Sequence, residues 1–318
     1  MSTIFLGTSE FAAAILARLA SSADQRPALV ITRPDRPSGR GRRISSPPVA
    51  IRARELGLAL EQPQSVNDPE AHALIAQAGR PAGAEGGGER QTLIVCAFGA
   101  LIKEPLLSRH ELLNVHPSLL PRWRGAAPIE RALIAGDEQT GVSIMRLTAG
   151  LDSGPVCLSG VEPIAPQDTY GSRAARLQRL AGDLLLRALR EQPPFREQPE
   201  EGVTYAEKIG AQDRLLDPRR PALELERVVR ALNPHIGARV ARADGELLGV
   251  HRAALLAEPD VQALAFPPGA EPGLHVDGAR VLLACTPGVL ELLEVQPAGG
   301  RAMDAAAYAR GRGAPGRR

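Results

Sequence analysis

Two side chains in the stretch NVHPSLLPRWRGAAP (residues 114–128) have the makings of a catalyst, Asn114 and His116. On an extended segment, residues two apart project to the same side. An amide and an imidazole placed together can both hydrogen-bond one carbonyl oxygen. A protonated imidazole can also stabilise the oxyanion that forms when that carbonyl is attacked. The pair lacks a carboxylate to orient the ring, and Asp152, in the Gly-bounded turn GLDSGP at 150–155, is a candidate for it. Each residue also has an ordinary explanation. An Asn at a strand end commonly forms a turn, a lone His commonly packs in the core or on the surface, and an Asp can cap its own loop.

The elements that must position this trio alternate between strand and helix. TIFLG (3–7), ALVITRP (28–34), TLIVCAF (92–98), ELLNVH (111–116) and TGVSIMRL (140–147) read as strands. FAAAILARLA (11–20), DPEAHALIAQAG (68–79), APIERALIAGD (127–137) and a long segment at about 168–190 read as helices. A further helix is expected at 47–56, with Ser46 as its cap, Pro47 at its first position and Gly57 as its stop. This alternation predicts an α/β domain with an open, mostly parallel, Rossmann-like sheet and helices on both faces. Ligands of such sheets bind at the carboxyl ends of strands, where Pro117 ends the segment bearing Asn114 and His116.

The expected division is a catalytic domain over 1–190, a Pro- and Glu-rich linker over 191–205 and a C-terminal domain over 206–318. In the last part, short apolar runs separated by DG, PG and GG turns suggest antiparallel strands in a small OB-like β-barrel. PAGAEGGGER (81–90) reads as a surface loop without chemistry.

Composition narrows the class. Hydrophobic residues make up 44% and charged residues 23%, a globular balance, and with aromatics at 3% the core must rest on Leu, Val, Ile and Ala. Net charge is only +2, but RPDRPSGRGRR (33–43) holds five arginines against one Asp, a local +4. Cys96, Cys157 and Cys285 form no C-x-x-C pair, which argues against a zinc site or a disulfide framework and fits a reducing cytoplasm. The densest apolar run, LIVCAFGALI (93–102), is too short to cross a bilayer. The expectation is a cytoplasmic protein without a metal or a membrane segment.

HPSLLPRWRGAAPIERALIAGD (116–137), preceded by NV and followed by TGVSIMRLTAGLDSGPV, resembles the catalytic signature of the 10-formyltetrahydrofolate-dependent formyltransferase family. FLGTSEFAAAIL near the start, RPDRPSGRGR, TYAEKI (204–209), RALNP (230–234) and LLEVQPAGGRAM (292–303) extend the resemblance over nearly the whole chain. Within the family it is similar to the members that formylate methionine carried on initiator tRNA.

The resemblance implies catalytic roles for Asn114, His116 and Asp152, and a folate site lined by Ser118, Leu119, Leu120 and Pro121. It implies that Arg40 meets the tRNA acceptor end, with Arg36, Arg42 and Arg43 as neighbouring phosphate contacts. Arg122 and Arg124 extend the basic rim, beside a Trp123 that packs or stacks. The co-substrate would be 10-formyltetrahydrofolate, the partner charged initiator methionyl-tRNA, and the protein a monomer that needs no metal. Two rivals stay open: a formyltetrahydrofolate enzyme with another acceptor, such as a sugar nucleotide or water, and a non-catalytic RNA-binding module. Two features depart from the family pattern, the Gly-rich insert at 82–88 and His235–Ile236 where relatives often carry an aromatic.

Overall fold

Every residue of β1 (Thr3–Gly7) is buried, as a strand in the middle of a sheet covered on both faces must be. The computed structural model describes residues 3–38, 43–78, 91–262, 264 and 271–312. The insert at 82–88, Arg40, Arg42 and the side chain of Arg43 lie outside the described residues.

After β1 come α1 (Glu10–Ala20), β2 (Leu29–Ile31), β3 (Arg36–Ser38), β4 (Arg43–Ser45), α2 (Pro48–Glu55), β5 (Leu60–Glu61) and α3 (Pro69–Ala78). β6 (Thr92–Cys96), the single turn α4 (Leu106–Arg109), β7 (Glu111–His116), β8 (Arg124–Gly125) and α5 (Pro128–Ala135) follow. Next are β9 (Gln139–Arg146), β10 (Val156–Pro163), the long α6 (Tyr170–Glu191) and β11 (Tyr205–Ala206). The chain ends with α7 (Ala222–Leu232), β12 (Ala238–Ala241), β13 (Leu247–Leu255), α8 (Glu258–Gln262), β14 (Gly273–Asp277), β15 (Arg280–Ala284), β16 (Val289–Gln296), β17 (Met303–Asp304) and α9 (Ala305–Arg312).

The chain divides into two compact units. One comprises 1–125, 140–163 and 174–205, and the other 126–139, 164–173 and 206–318. In the first unit seven strands lie in the order β10-β9-β7-β6-β1-β2-β5. β5, β2, β1, β6 and β7 run parallel, and β9 pairs antiparallel with β7. The expected mostly parallel sheet is present, with a reversed strand toward one edge. Its core is aliphatic, built on Ile4, Leu6, Ile31, Leu93, Val95 and Leu112 with Phe98.

Local chemistry sets the helix starts. The hydroxyl of Ser9 accepts the N–H of Ala12 (3.3 Å), capping α1. α2 starts one residue later than expected, at Pro48, because Pro47 precedes a proline and is held extended (φ −56°, ψ 147°). Ser46 is therefore not its cap. Its hydroxyl donates to Asp35 Oδ2 (2.8 Å) and accepts from Arg54 (3.0 Å). Within and just after the Arg-rich segment, β3 and β4 pair antiparallel.

In the second unit β12, β13, β16, β15 and β14 form an antiparallel sheet with β17 on β16. Register shifts in β13 around Arg252 bend the strand. The sheet curls into a half-barrel, and among the described residues no pairing of β14 with β12 closes it. α7 lays Leu225, Val228, Val229 and Leu232 against Val240, Leu248, Val250, Leu283, Leu290 and Leu292. Ile134 of α5 joins the same core. The departure at His235 is accommodated here. Its ring stacks on Tyr170 (3.5 Å between centroids) and its Nε2 meets Glu130 Oε1 at 2.9 Å.

Candidate active site

β7 delivers Asn114 and His116 to one face of the sheet, with Val115 on the other. Both side chains are buried. Asp152 reaches them from the loop after β9. Because β9 runs against β7, its carboxyl end lies beside the start of β7: Arg146 pairs with Leu113, and the N–H of Leu147 donates to Leu112 O (2.8 Å). The loop must then run back along the strand to bring Asp152 to the site. Asp152 itself sits in the left-handed region (φ +44°), a conformation an Asp tolerates better than most residues.

The three side chains converge. Asn114 Nδ2 donates to Asp152 Oδ1 (3.2 Å), and the N–H of Gly125 donates to Asp152 Oδ2 (2.9 Å). That same Oδ2 faces His116 Nδ1 at 3.6 Å. On the far side of the ring, His116 Nε2 is 2.8 Å from the carbonyl oxygen of Trp123. A carbonyl oxygen only accepts, so Nε2 carries a hydrogen. A second proton on Nδ1 would point at a carboxylate. The pocket therefore offers an acceptor to each nitrogen of an imidazolium, and Asn114 keeps one amide hydrogen that Asp152 does not use. Both ring nitrogens thus face protein acceptors, and the spare amide hydrogen of Asn114 is the donor the trio leaves for a further oxygen.

The turn after β7 is rigidly tied. The Ser118 hydroxyl donates to Arg122 O (2.6 Å), and the Ser143 hydroxyl donates to Ser118 O (2.8 Å) while accepting from Leu120 N (3.2 Å). Ser118 has no exposed surface. Its hydroxyl is enclosed by the turn it shapes. Leu119, Leu120 and Pro121 are half-buried and present surface to solvent. Trp123 lies at φ +64°, strained for a bulky residue. It is held by its N–H to the Thr204 hydroxyl (2.9 Å), and Arg122 lies over its ring (4.4 Å).

Arg36 is exposed. With Arg33 and Lys103 it lines a cavity of about 290 Å³ beyond the carboxyl ends of β2, β5 and β6, and no acidic residue shares that lining. Among the described residues no three His, Cys, Asp or Glu side chains gather to hold a metal ion. No described helix is long and apolar enough to cross a membrane.

Residues 1–189 match the family described as formyl transferase, and residues 208–313 match its C-terminal domain. The chain belongs to the formyl transferase family. Among relatives of this formyl transferase, the methionyl-tRNA formyltransferase of Halorhodospira halophila is 40% identical over 97% of the chain and 96% of the relative. That of Dechloromonas aromatica is 40% identical over 95% and 92%. Solved structures share the fold at low identity. An N-formyltransferase from Helicobacter canadensis, in complex with folinic acid and dTDP-3-aminofucose, superimposes with a TM-score of 0.63 at 12% identity, covering 92% of this chain and 98% of that one. HypX of Aquifex aeolicus with tetrahydrofolic acid gives 0.62 at 15% identity, covering 97% of this chain and 46% of HypX.

Proposed function

We propose that this formyl transferase moves the formyl group of 10-formyltetrahydrofolate to the α-amino group of methionine esterified to initiator tRNA, giving formylmethionyl-tRNA for translation initiation. What carries the reading is the convergence of Asn114, His116 and Asp152 on one point in a chain matched over nearly its full length by methionyl-tRNA formyltransferases. Sugar-nucleotide acceptors receive less support, since the structures of that class resemble this chain at 12–20% identity.

The nucleophile is the substrate's own amine. A free α-amine has a pKa near ~8, so a useful fraction is unprotonated at neutral pH. Its lone pair attacks the formyl carbon, a new C–N bond forms, and the formyl oxygen takes up negative charge. Asn114 donates its remaining amide hydrogen to that oxygen. His116, whose Nε2–H rests on the Trp123 carbonyl, donates to the same oxygen when it competes successfully for that hydrogen. Asp152 keeps the protonated ring favourable and accepts the proton lost by the attacking nitrogen through water. Collapse breaks the bond to N10, which takes up the proton held by Asp152, again through water, and departs as tetrahydrofolate.

Ser118, Leu119, Leu120 and Pro121 are the proposed folate-site turn, with the last three as its apolar wall. Arg36, Arg40, Arg42 and Arg43 are proposed to hold phosphates near the acceptor end, a role supported by a cavity whose charged lining residues, Arg33, Arg36 and Lys103, are all cationic. The deciding assay incubates the purified protein with 10-formyltetrahydrofolate and charged initiator tRNA, with free methionine, uncharged tRNA and a dTDP-amino sugar as alternative acceptors. Formylmethionine appearing only on the charged tRNA is expected. Its absence there, or preferential formylation of the sugar, overturns the reading.

A further inference from the structure

The segment after α6 looks like a spacer in composition but runs as a strap beneath the two loops that meet at Asp152. Arg196 and Val156 exchange backbone hydrogen bonds (2.8 and 2.9 Å). Two residues on, the half-buried Gln198 uses both ends of its amide. Its Nε2 donates to the backbone oxygens of Asp152 (2.8 Å) and Gly154 (2.7 Å). Its Oε1 accepts from Arg124 Nε (3.0 Å) and Nη2 (2.8 Å).

The orientation of this amide is dictated by its neighbours, because two carbonyls require donors and a guanidinium requires an acceptor. Only Gln has that length with a donor and an acceptor at its tip. Further along the strap, Thr204 O accepts the N–H of Arg124 (2.9 Å). Arg124 precedes Gly125, whose N–H holds Asp152 Oδ2. Gln198 thus joins the backbone that carries the carboxylate to the loop that supplies one of its hydrogen-bond donors.

We infer that Gln198 is a positioning residue for formyl transfer: it holds Asp152 in its left-handed conformation, with the carboxylate turned to His116 and Asn114. The inference rests on the proposed function. A residue at φ +44° relaxes unless its surroundings hold it, and Gln198 makes two of the bonds that hold this loop. Without them the carboxylate departs from the geometry in which it serves the ring, while surfaces that bind tRNA and folate are untouched.

Gln198→Glu is the sharpest variant, since it keeps the contact with Arg124 and removes both donations. Expected is a fall in kcat of about 10- to 100-fold, with KM for charged tRNA and for 10-formyltetrahydrofolate changed by no more than about threefold. A double-mutant cycle separates positioning from general weakening. In an Asp152→Asn background, Gln198→Glu should alter kcat by less than about twofold, because the group it positions is already disabled. Gln198→Ala measured in the same way should agree. Full kcat in Gln198→Glu, equal losses in both backgrounds, or a Gln198→Glu protein that no longer folds would each overturn the inference; the last would mean that Gln198 holds the domain and not the carboxylate. A wild-type protein that forms no formylmethionyl-tRNA would instead sink the functional reading.

Discussion

Asp152 Oδ2 stands 3.6 Å from His116 Nδ1 without depending on that ring for its place, since the Gly125 N–H holds the same oxygen at 2.9 Å. A carboxylate anchored by other donors is a fixed counter-charge, ready before the imidazole takes a proton. Asp152→Asn keeps the shape and removes the charge, and His116→Ala removes the proposed oxyanion donor. Each should lower kcat by at least about 10²-fold, with folate affinity nearly unchanged by equilibrium binding. Near-normal turnover in either variant would remove that residue from the mechanism.

The basic segment gives a prediction of a different form. Phosphate contacts contribute through released counterions, so each one lost reduces the steepness of salt dependence. Arg36→Ala and Arg40→Ala should each raise KM for charged tRNA and flatten the plot of log affinity against log salt by about one unit, with kcat on saturating tRNA retained. An unchanged slope would show that the arginine meets no phosphate.

Gly141 and Gly57 separate lack of space from backbone strain. A Cβ on Gly141 would lie 2.0 Å from the Gly160 carbonyl oxygen and 2.5 Å from Leu119 Cδ2. Gly141→Ala should destabilise the protein by about 3 kcal/mol or more in denaturant unfolding, at the upper end of overpacking costs. Gly57, at φ +62° with nothing within 4 Å of such a Cβ, should lose only about 1–2 kcal/mol on substitution by Ala. Equal losses would contradict the close approach of β9 to β10.

Asp213 makes stability of the second unit depend on pH. The Arg131 guanidinium, bonded at 2.8 and 3.2 Å, holds its carboxyl below the ordinary 3.8, and the N–H of Gly210 adds to this against the opposing effect of burial. With the folded value depressed, the stabilisation is complete above pH 3.8 and vanishes as pH falls through the folded value. Asp213→Asn should cost about 1 kcal/mol or less at pH 7, given the exposure of the pair. Wild type and variant should converge in thermal midpoint as pH falls below 3.8 and through the depressed folded value, and a constant difference across pH would rule the pairing out.

Much of the site is legible in the order of the residues. Asn114 and His116 declare their common face through the period of two in ELLNVH, and the paired glycines around Asp152 mark a special turn. The reversal of β9 is not legible, because a strand shows the same alternation whichever way it runs. Nor is Gln198, since a Pro- and Glu-rich stretch has the composition of a linker and the amide's partners lie far off in the chain. α7 is another matter. Apolar residues at 222, 225, 228, 229 and 232 follow a helical period, a signal present in the sequence but overshadowed by the surrounding turn-rich strands. The part Ser118 plays in its turn is not legible either: membership of a motif does not tell that its hydroxyl donates to Arg122 O.

The reversed β9 also bears on how the nascent chain acquires its activity. Asn114 and His116 lie on β7, in the parallel part of the sheet, whereas Asp152 lies beyond β9, and Gln198, which braces its loop, comes later still in the chain. A growing chain therefore acquires the proposed amide and ring first, their carboxylate next and the brace of that carboxylate last.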